Sequence, residues 1–580
     1  DRHIISSTSP KYLLWRVFSN LPKYSPHVKP TSLLRQGCDN LHDMKKCMFL
    51  LSSLFCLLST SPRRVEAAAE FSTTWTSQYV IEESGHTRLT HQIALKNNLA
   101  HIYATEYSLA TSGVDLQNLQ ASDESGPLTT TTASQNGVTT IHLTLERPKI
   151  GKDQVKTITL SYQADDVVEK IGPTMTVNIP RLAKANEADS YTRVVKIAGV
   201  TDLPTLISPP ASKVEPDGEY QIYTFSGHQA DSLSLLFGES ATYHLNLKYE
   251  LKNKELKDGF SELALPPDTA YQKVLLNSLT PEPSSISLDN DGNWLARYQI
   301  GSQDKLLVTA DLYVTVYPLP KLSDPSDKTF QKTLHSKYWP TNSAVVNDLG
   351  AQLKTPANIY RYLVDNFTYN YGHQSSSATR QGAVQALSAP RNVLCTEFTD
   401  SFVALARSLQ IPSREINGFG YTKNNLIQPS SDSTDILHAW PEYYDAASQT
   451  WVSVDPTWGN TTGGVDYFSK LDFSHITFVR HGQEDSYPLP AGAYKSNQTE
   501  KYLSIELAET TPDPVSTHEI RDGYLVNTGN VSLIHPELGY LPPYGQAKLS
   551  QSKSISLYDK IKALCANLFS KFWGRPPVSM

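Results

Sequence analysis

The sequence predicts an α+β protein in which a mixed core of helices and one hairpin sits between β-rich units. Three observations carry this. Long stretches before residue 320 alternate apolar and polar residues with the period of a strand. A run from Cys395 repeats apolar residues with the period of a helix: Phe398, Phe402, Leu405 and Leu409 share one face, and Pro412 stops it. Two strand-like segments follow, His438–Tyr444 and Trp451–Asp455, around an Asp445-Ala-Ala-Ser448 turn.

Taken from its start, the chain of 580 residues is long enough for roughly three to five domains. Its net charge of −7 and pI of about 6.2 offer no basic face for nucleic acid. A charged fraction of 19%, beside abundant Ser, Thr, Asn and Tyr, suits an extracellular or cell-envelope protein. Residues 1–43 precede the first methionine, Met44, and are read as lying outside the native protein. Residues 44–69 read as a signal peptide or N-terminal anchor: Lys45 and Lys46, an apolar Met48–Leu58, then Ala67-Ala68-Ala69 as a cleavage site. The apolar run falls short of the ~20 residues that span a bilayer. Cleavage there leaves Cys395 and Cys565 of five cysteines, so no disulfide framework is expected. Nor does any Cys/His spacing suit zinc; neither metal nor cofactor is expected.

Residues 70–210 form the first predicted β-rich unit. Thr87, Leu89, His91, Ile93 and Leu95 alternate; Asn136-Gly137 is a turn signal before Ile141, Leu143 and Leu145; Ile158, Leu160 and Tyr162 give another strand. A second unit, 211–320, has a turn at Asp217-Gly218, a clean alternation from Tyr243 to Leu251, and Leu312, Val314 and Val316. Asp289-Asn-Asp-Gly-Asn293 resembles the start of a calcium loop but lacks its length and final Glu, so it reads as a polar turn. Pro318–Asp327 is linker-like in composition.

The core, 330–490, opens with helices at Asn342–Leu353 and, capped by Thr355 with Pro356 in its first turn, on to Asn366. Ile359, Tyr362 and Leu363 are its expected buried residues. His373, in the loop 371–379, reads as a solvated spare, and the Asn/Ser/Asp-rich loop 423–435 as a rim or a plain connection. Residues 491–550 form a small β domain, with Leu503, Ile505 and Leu507 alternating. The tail 551–580 contains an amphipathic helix with Ile561, Leu564, Leu568 and Phe572 on one face. It suits a membrane surface, a partner, or its own domain. Sequons begin at Asn366, Asn460, Asn497 and Asn530.

The chemistry concentrates in Cys395, His438 and Asp455. A thiol in the first turn of a helix lies at the positive end of the dipole, which favours the nucleophilic thiolate. Folding the hairpin symmetrically about 445–448 sets 438 opposite 455 on one face, with Cβ atoms about 5 Å apart. An Asp holding one imidazole nitrogen leaves the other to exchange a proton with Cys395.

These residues resemble the transglutaminase-like superfamily, whose members carry a Cys opening a helix, a His-Ala-Trp strand and an Asp-Pro-Thr. Here those are Cys395, His438-Ala439-Trp440 and Asp455-Pro456-Thr457, and Ile411-Pro412-Ser413-Arg414 matches the turn after the family helix. Val393 stands where the family usually has Gly. The resemblance implies a papain-like core over 330–490, flanked by N-terminal β-sandwich-type domains. It implies a Cys-His-Asp triad acting on amide or peptide bonds of a protein or peptide substrate, by hydrolysis or transamidation. The alternative is a non-catalytic surface adhesion or scaffolding protein with an inactive module of this fold.

Overall fold

The computed structural model describes residues 70–549, apart from 113, 136–137, 183–187, 201, 228–231, 327–335, 372–378, 423–436 and 496–499. The N-terminal segments 1–43 and 44–69, the Asn136-Gly137 turn, His373, the loop 423–435, Asn497, Cys565 and the tail helix lie outside the described residues.

In the first unit, Phe71–Ile81, Thr87–Asn97 and Val155–Gln163 pair antiparallel in an eight-stranded sheet. Leu89, His91, Ile93 and Leu95 face its core, as their alternation predicts. Burial of His91 is made tolerable by Ser77 Oγ at 2.6 Å and the Tyr162 hydroxyl at 2.9 Å, one on each ring nitrogen. Pairing does not follow the sequence division at 210/211. The hairpin around Asp217-Gly218 joins this eight-stranded sheet through Ser190–Ala198, and Leu233–Phe237 pairs with Thr174–Ile179.

In the second unit, Ala241–Lys252 lies along the full length of Lys305–Val316. Its sheet also takes Gln272–Thr280 and, from far down the chain, Leu503–Leu507. A three-stranded sheet of Gly259–Leu265, Trp294–Ile300 and Ser285–Leu288 shares the same apolar core. Asp289–Asn293 is the turn between the last two, closed by Asn293 N–H donating to Asp289 Oδ1 at 2.8 Å. Beyond residue 510, His518–Arg521, Tyr524–Asn527 and Gln546–Lys548 make a small sheet, and Leu533–His535 pairs with Gly539–Leu541.

Between these lies the mixed core. Its helices are α1 (Ala344–Leu353), α2 (Pro356–Asn366), α3 (Ala383–Ser388), α4 (Cys395–Ser408) and the short α5 (Pro456–Thr461). Four antiparallel strands run β3-β2-β1-β4, with β1 Ser413–Gly420, β2 His438–Asp445, β3 Thr450–Ser453 and β4 His475–His481. The Thr355 side chain caps α2, as the sequence predicts, but Tyr360 rather than Tyr362 joins Ile359 and Leu363 inside, because it reaches across to Tyr467 N–H at 2.9 Å. Every residue of α4 from Glu397 to Arg407 is buried, so it is the central helix of the core. It stops where Gln410 takes a left-handed φ of 63° before Pro412. The opposite face of the sheet, through Phe419, Phe473, Ile476 and Phe478, closes the apolar core of the second β unit.

Buried charges fix the core to its surroundings. Arg414 donates to Glu442 of β2, and to Asp324 at 3.3 Å. Asp324 also receives Arg480 at 2.9 Å, so the linker-like segment is anchored where composition alone predicts a free connection. Beneath α4, Arg380 bridges Asp400 and Glu415, and the Trp339 indole donates to Asp400 at 2.7 Å.

Candidate active site

Cys395 opens α4 and is partly exposed, the one free cysteine among the described residues. Leu394, the residue before it, is extended and has no side-chain oxygen with which to cap the helix. Glu397 does that work from inside the first turn. Its buried carboxylate accepts the N–H groups of Leu394 and Gln381, both at 2.9 Å, which pins the loop that presents the thiol. Val393 is fully buried; its carbonyl accepts Asn370 N–H at 2.9 Å and its backbone bridges to Tyr369. Where the family usually has glycine, this chain holds the loop by packing.

His438 begins β2 opposite Gly418 of β1. A Cβ at 418 would meet the Ile476 carbonyl at 2.1 Å and Trp440 at 2.9 Å, so only glycine lets the strands close there. The imidazole lies between two indoles, with Trp440 at 5.6 Å and Trp458 at 5.3 Å between ring centroids, at interplanar angles of 29° and 21°. This excludes water and fixes the plane of the ring.

The observed hairpin register differs from a symmetric fold about 445–448. Asp445 pairs with Thr450 and Glu442 with Ser453, a shift of two residues, and the strand ends before Asp455. An even shift keeps the same face, because side chains alternate with period two. Asp455 instead caps α5: its Oδ1 accepts the N–H groups of Thr457 at 2.8 Å and Trp458 at 3.0 Å. Its Oδ2 lies 2.8 Å from His438 Nε2. The predicted His–Asp contact is thus made, by a helix cap rather than by a cross-strand pair. With Nε2 engaged by Asp455, Nδ1 is the ring nitrogen available to Cys395, whose thiol interacts electrostatically with this imidazole.

Burial pulls the pKa of His438 down, but the charge and hydrogen bond of Asp455, with a smaller contribution from the Cys395 thiol, outweigh it and push it up to about 9. Burial alone would raise Asp455; attraction to His438 and hydrogen bonds from both histidines hold it well below the usual carboxylate range. Sequence patterning missed the second of these histidines. His475, at the start of β4, has Nε2 3.1 Å from the same Asp455 Oδ2 and Nδ1 2.7 Å from Asp472 Oδ1. The only signal was an Asp three residues earlier. His438, Asp455 and His475 also bring three donor atoms within 4.8 Å of one another, the one such convergence among the described residues. Those atoms already bond to each other, so an ion would have to break these bonds to enter.

Residues 341–456 match the family model of the transglutaminase-like superfamily. No curated protein matches the sequence. Among solved structures, the chain is similar to a putative cysteine protease from Cytophaga hutchinsonii, at 16% identity over 48% of this chain and 94% of that one, TM-score 0.33. It is also similar to the periplasmic domain of TgpA from Pseudomonas aeruginosa, bound to ethylmercury, at 17% identity over 38% and 91%, TM-score 0.22. An M1 zinc metallopeptidase from Deinococcus radiodurans matches at 10% identity over 32% of this chain and 45% of that one, TM-score 0.20.

Proposed function

We propose that this transglutaminase-like core is a thiol enzyme that cleaves or transfers amide bonds of a protein or peptide, with Cys395 as nucleophile, His438 as acid and base, and Asp455 as orienting carboxylate. The observation that carries the reading is a buried His438–Asp455 pair, with His438 Nε2 held at 2.8 Å by the carboxylate, together with a partly exposed thiol in the first turn of α4 that acts on the same imidazole. In the reaction, His438 Nδ1 holds the thiol proton while Cys395 Sγ attacks the carbonyl carbon. The tetrahedral oxyanion is met by the backbone N–H of Cys395, which points out of the helix start. Its collapse breaks the C–N bond, His438 gives the proton to the departing amine, and a thioester remains on Cys395. Water resolves it in hydrolysis and an amine in transamidation, through the same three side chains.

The protein works outside the cytoplasm, exported by residues 44–69. This rests on the charge and apolar pattern of that segment. Among the described residues no helix is long and apolar enough to cross a membrane. N-terminal sequencing of exported protein should find Glu70 or an anchor starting at Met44.

A peptide library incubated with the full chain, with and without an added amine, tests the activity. Cleavage or amine incorporation lost in Cys395→Ala supports it; turnover retained by Cys395→Ala refutes it. No turnover by the wild type, with binding of intact protein through the β units, would favour the adhesion reading.

A further inference from the structure

Asp455 is shared between two imidazoles, and the second lies between two acids. His475 Nε2 is 3.1 Å from Asp455 Oδ2 and Nδ1 is 2.7 Å from Asp472 Oδ1. A neutral imidazole carries one N–H and can donate from one nitrogen only. Two carboxylates on opposite nitrogens therefore call for both N–H groups, unless an acid holds the missing proton. Neither acid is placed to hold one. Asp455 Oδ1 accepts two backbone N–H groups, and Asp472 Oδ1 also accepts Ser474 N–H at 2.8 Å, contacts that favour the anion. All of these groups are buried, and the ring is enclosed by Trp440, Trp458 and Tyr467.

We propose that His475, held as an imidazolium between Asp455 and Asp472, is a positioning residue that fixes the Asp455 carboxylate and sets the pH at which His438 loses its proton. The proposal deepens the thiol-enzyme reading and rests on it. With ring centroids 5.9 Å apart, the charge on His475 opposes a second charge on His438 and offsets part of the attraction from Asp455. His475 thereby keeps His438 from becoming too strong a base to release its proton to a leaving amine.

The charged and titratable groups around His475 come from every neighbouring element. They are His438 from β2, Asp455 from the start of α5, Tyr467 and Asp472 from the segment before β4, and Glu169 from the strand Val168–Ile171 of the first β unit. Burial, and then Asp472, push the Glu169 carboxyl up to about 8, so at neutral pH it adds little negative charge. Lys470 acts on the far side, through Asp472.

The test is NMR of the full chain labelled with 15N in its histidine rings, in wild type, His475→Gln and Asp472→Asn. In the wild type, His475 should show two N–H protons at pH 7. In His475→Gln the midpoint of His438 should rise by about one pH unit. Asp472→Asn, which leaves His475 with one carboxylate, should return it to a single N–H and move His438 the same way, so the test survives if His475→Gln fails to fold. A single N–H on wild-type His475, or a His438 midpoint unmoved in the variants, overturns the proposal and leaves the thiol-enzyme reading intact. Alkylation of Cys395 on the same samples separates the two: a wild-type thiol no more reactive than in the unfolded chain sinks both.

Discussion

Asp455→Asn offers a prediction whose size follows from the site. The folded-state pKa of His438 is raised from 6.5 to about 9. Its stabilising contribution is therefore fully present below pH 6.5 and is lost as pH rises through 9. That rise, at about 1.36 kcal/mol per pH unit, is worth roughly 3 kcal/mol. His475 is likewise raised to about 9, opposed by burial and driven chiefly by Asp472 and Asp455. Asparagine keeps an oxygen for the N–H groups of Thr457 and Trp458 but removes the charge facing both rings. His438 then loses its strongest stabilising partner, and His475, left with Asp472 alone, loses part of its stabilisation as well. Urea unfolding at pH 6.5 and 9.5, followed by tryptophan fluorescence, measures the difference; four of the eight tryptophans, Trp339, Trp440, Trp451 and Trp458, lie in this core. The wild type should lose at least roughly 3 kcal/mol more than Asp455→Asn over this interval, since His475 also gives up part of its stabilisation in the variant. Parallel losses in the two proteins would refute the charge arrangement described here.

Three further outcomes follow from the same structure. Cys395→Ala should abolish turnover while leaving the unfolding transition in place; His438→Ala should cost about as much, and Asp455→Asn less, in kcat/KM on any true substrate. Gly418→Ala should destabilise the core by more than about 2 kcal/mol and reduce soluble expression, since the added Cβ meets the Ile476 carbonyl at 2.1 Å; a wild-type Tm would contradict this. Arg414→Met strands the buried Glu442 without its cation, while Asp324 keeps Arg480, and should cost roughly 3–5 kcal/mol in urea denaturation, whereas a change under 1 kcal/mol would mean the network carries little.

Much of the core was legible because its signals are local. Helical periodicity from Phe398 to Leu409 located α4, and the spacing of His438 and Asp455 about one turn put them on one face. The exact register was not legible: the loop takes residues 446–449 rather than 445–448, and both choices satisfy the same turn chemistry. What decides is tertiary. Val454 N–H bonds to the Pro441 carbonyl, extending the shifted pairing to the residue before the α5 cap. Long-range pairing was the other blind spot. Alternation identifies Leu503–Leu507 as a strand but says nothing of which sheet receives it, and it joins the sheet of the second β unit; Leu233–Phe237, which carries no alternation, pairs with Thr174–Ile179 across the sequence division. His475 stayed hidden for the same reason: its partner Asp455 is 20 residues away, and only the fold brings β4 beside α5.

The most direct test of the central claim is the rate at which Cys395 reacts with iodoacetamide at pH 6, in the native chain and in the same chain unfolded in urea. An ordinary thiol is almost wholly protonated at that pH and reacts slowly. Native Cys395 should react at least about tenfold faster than the unfolded chain, and the excess should vanish in His438→Ala. Equal rates in the native and unfolded chains, or an excess that survives in His438→Ala, would contradict a thiol activated by its imidazole.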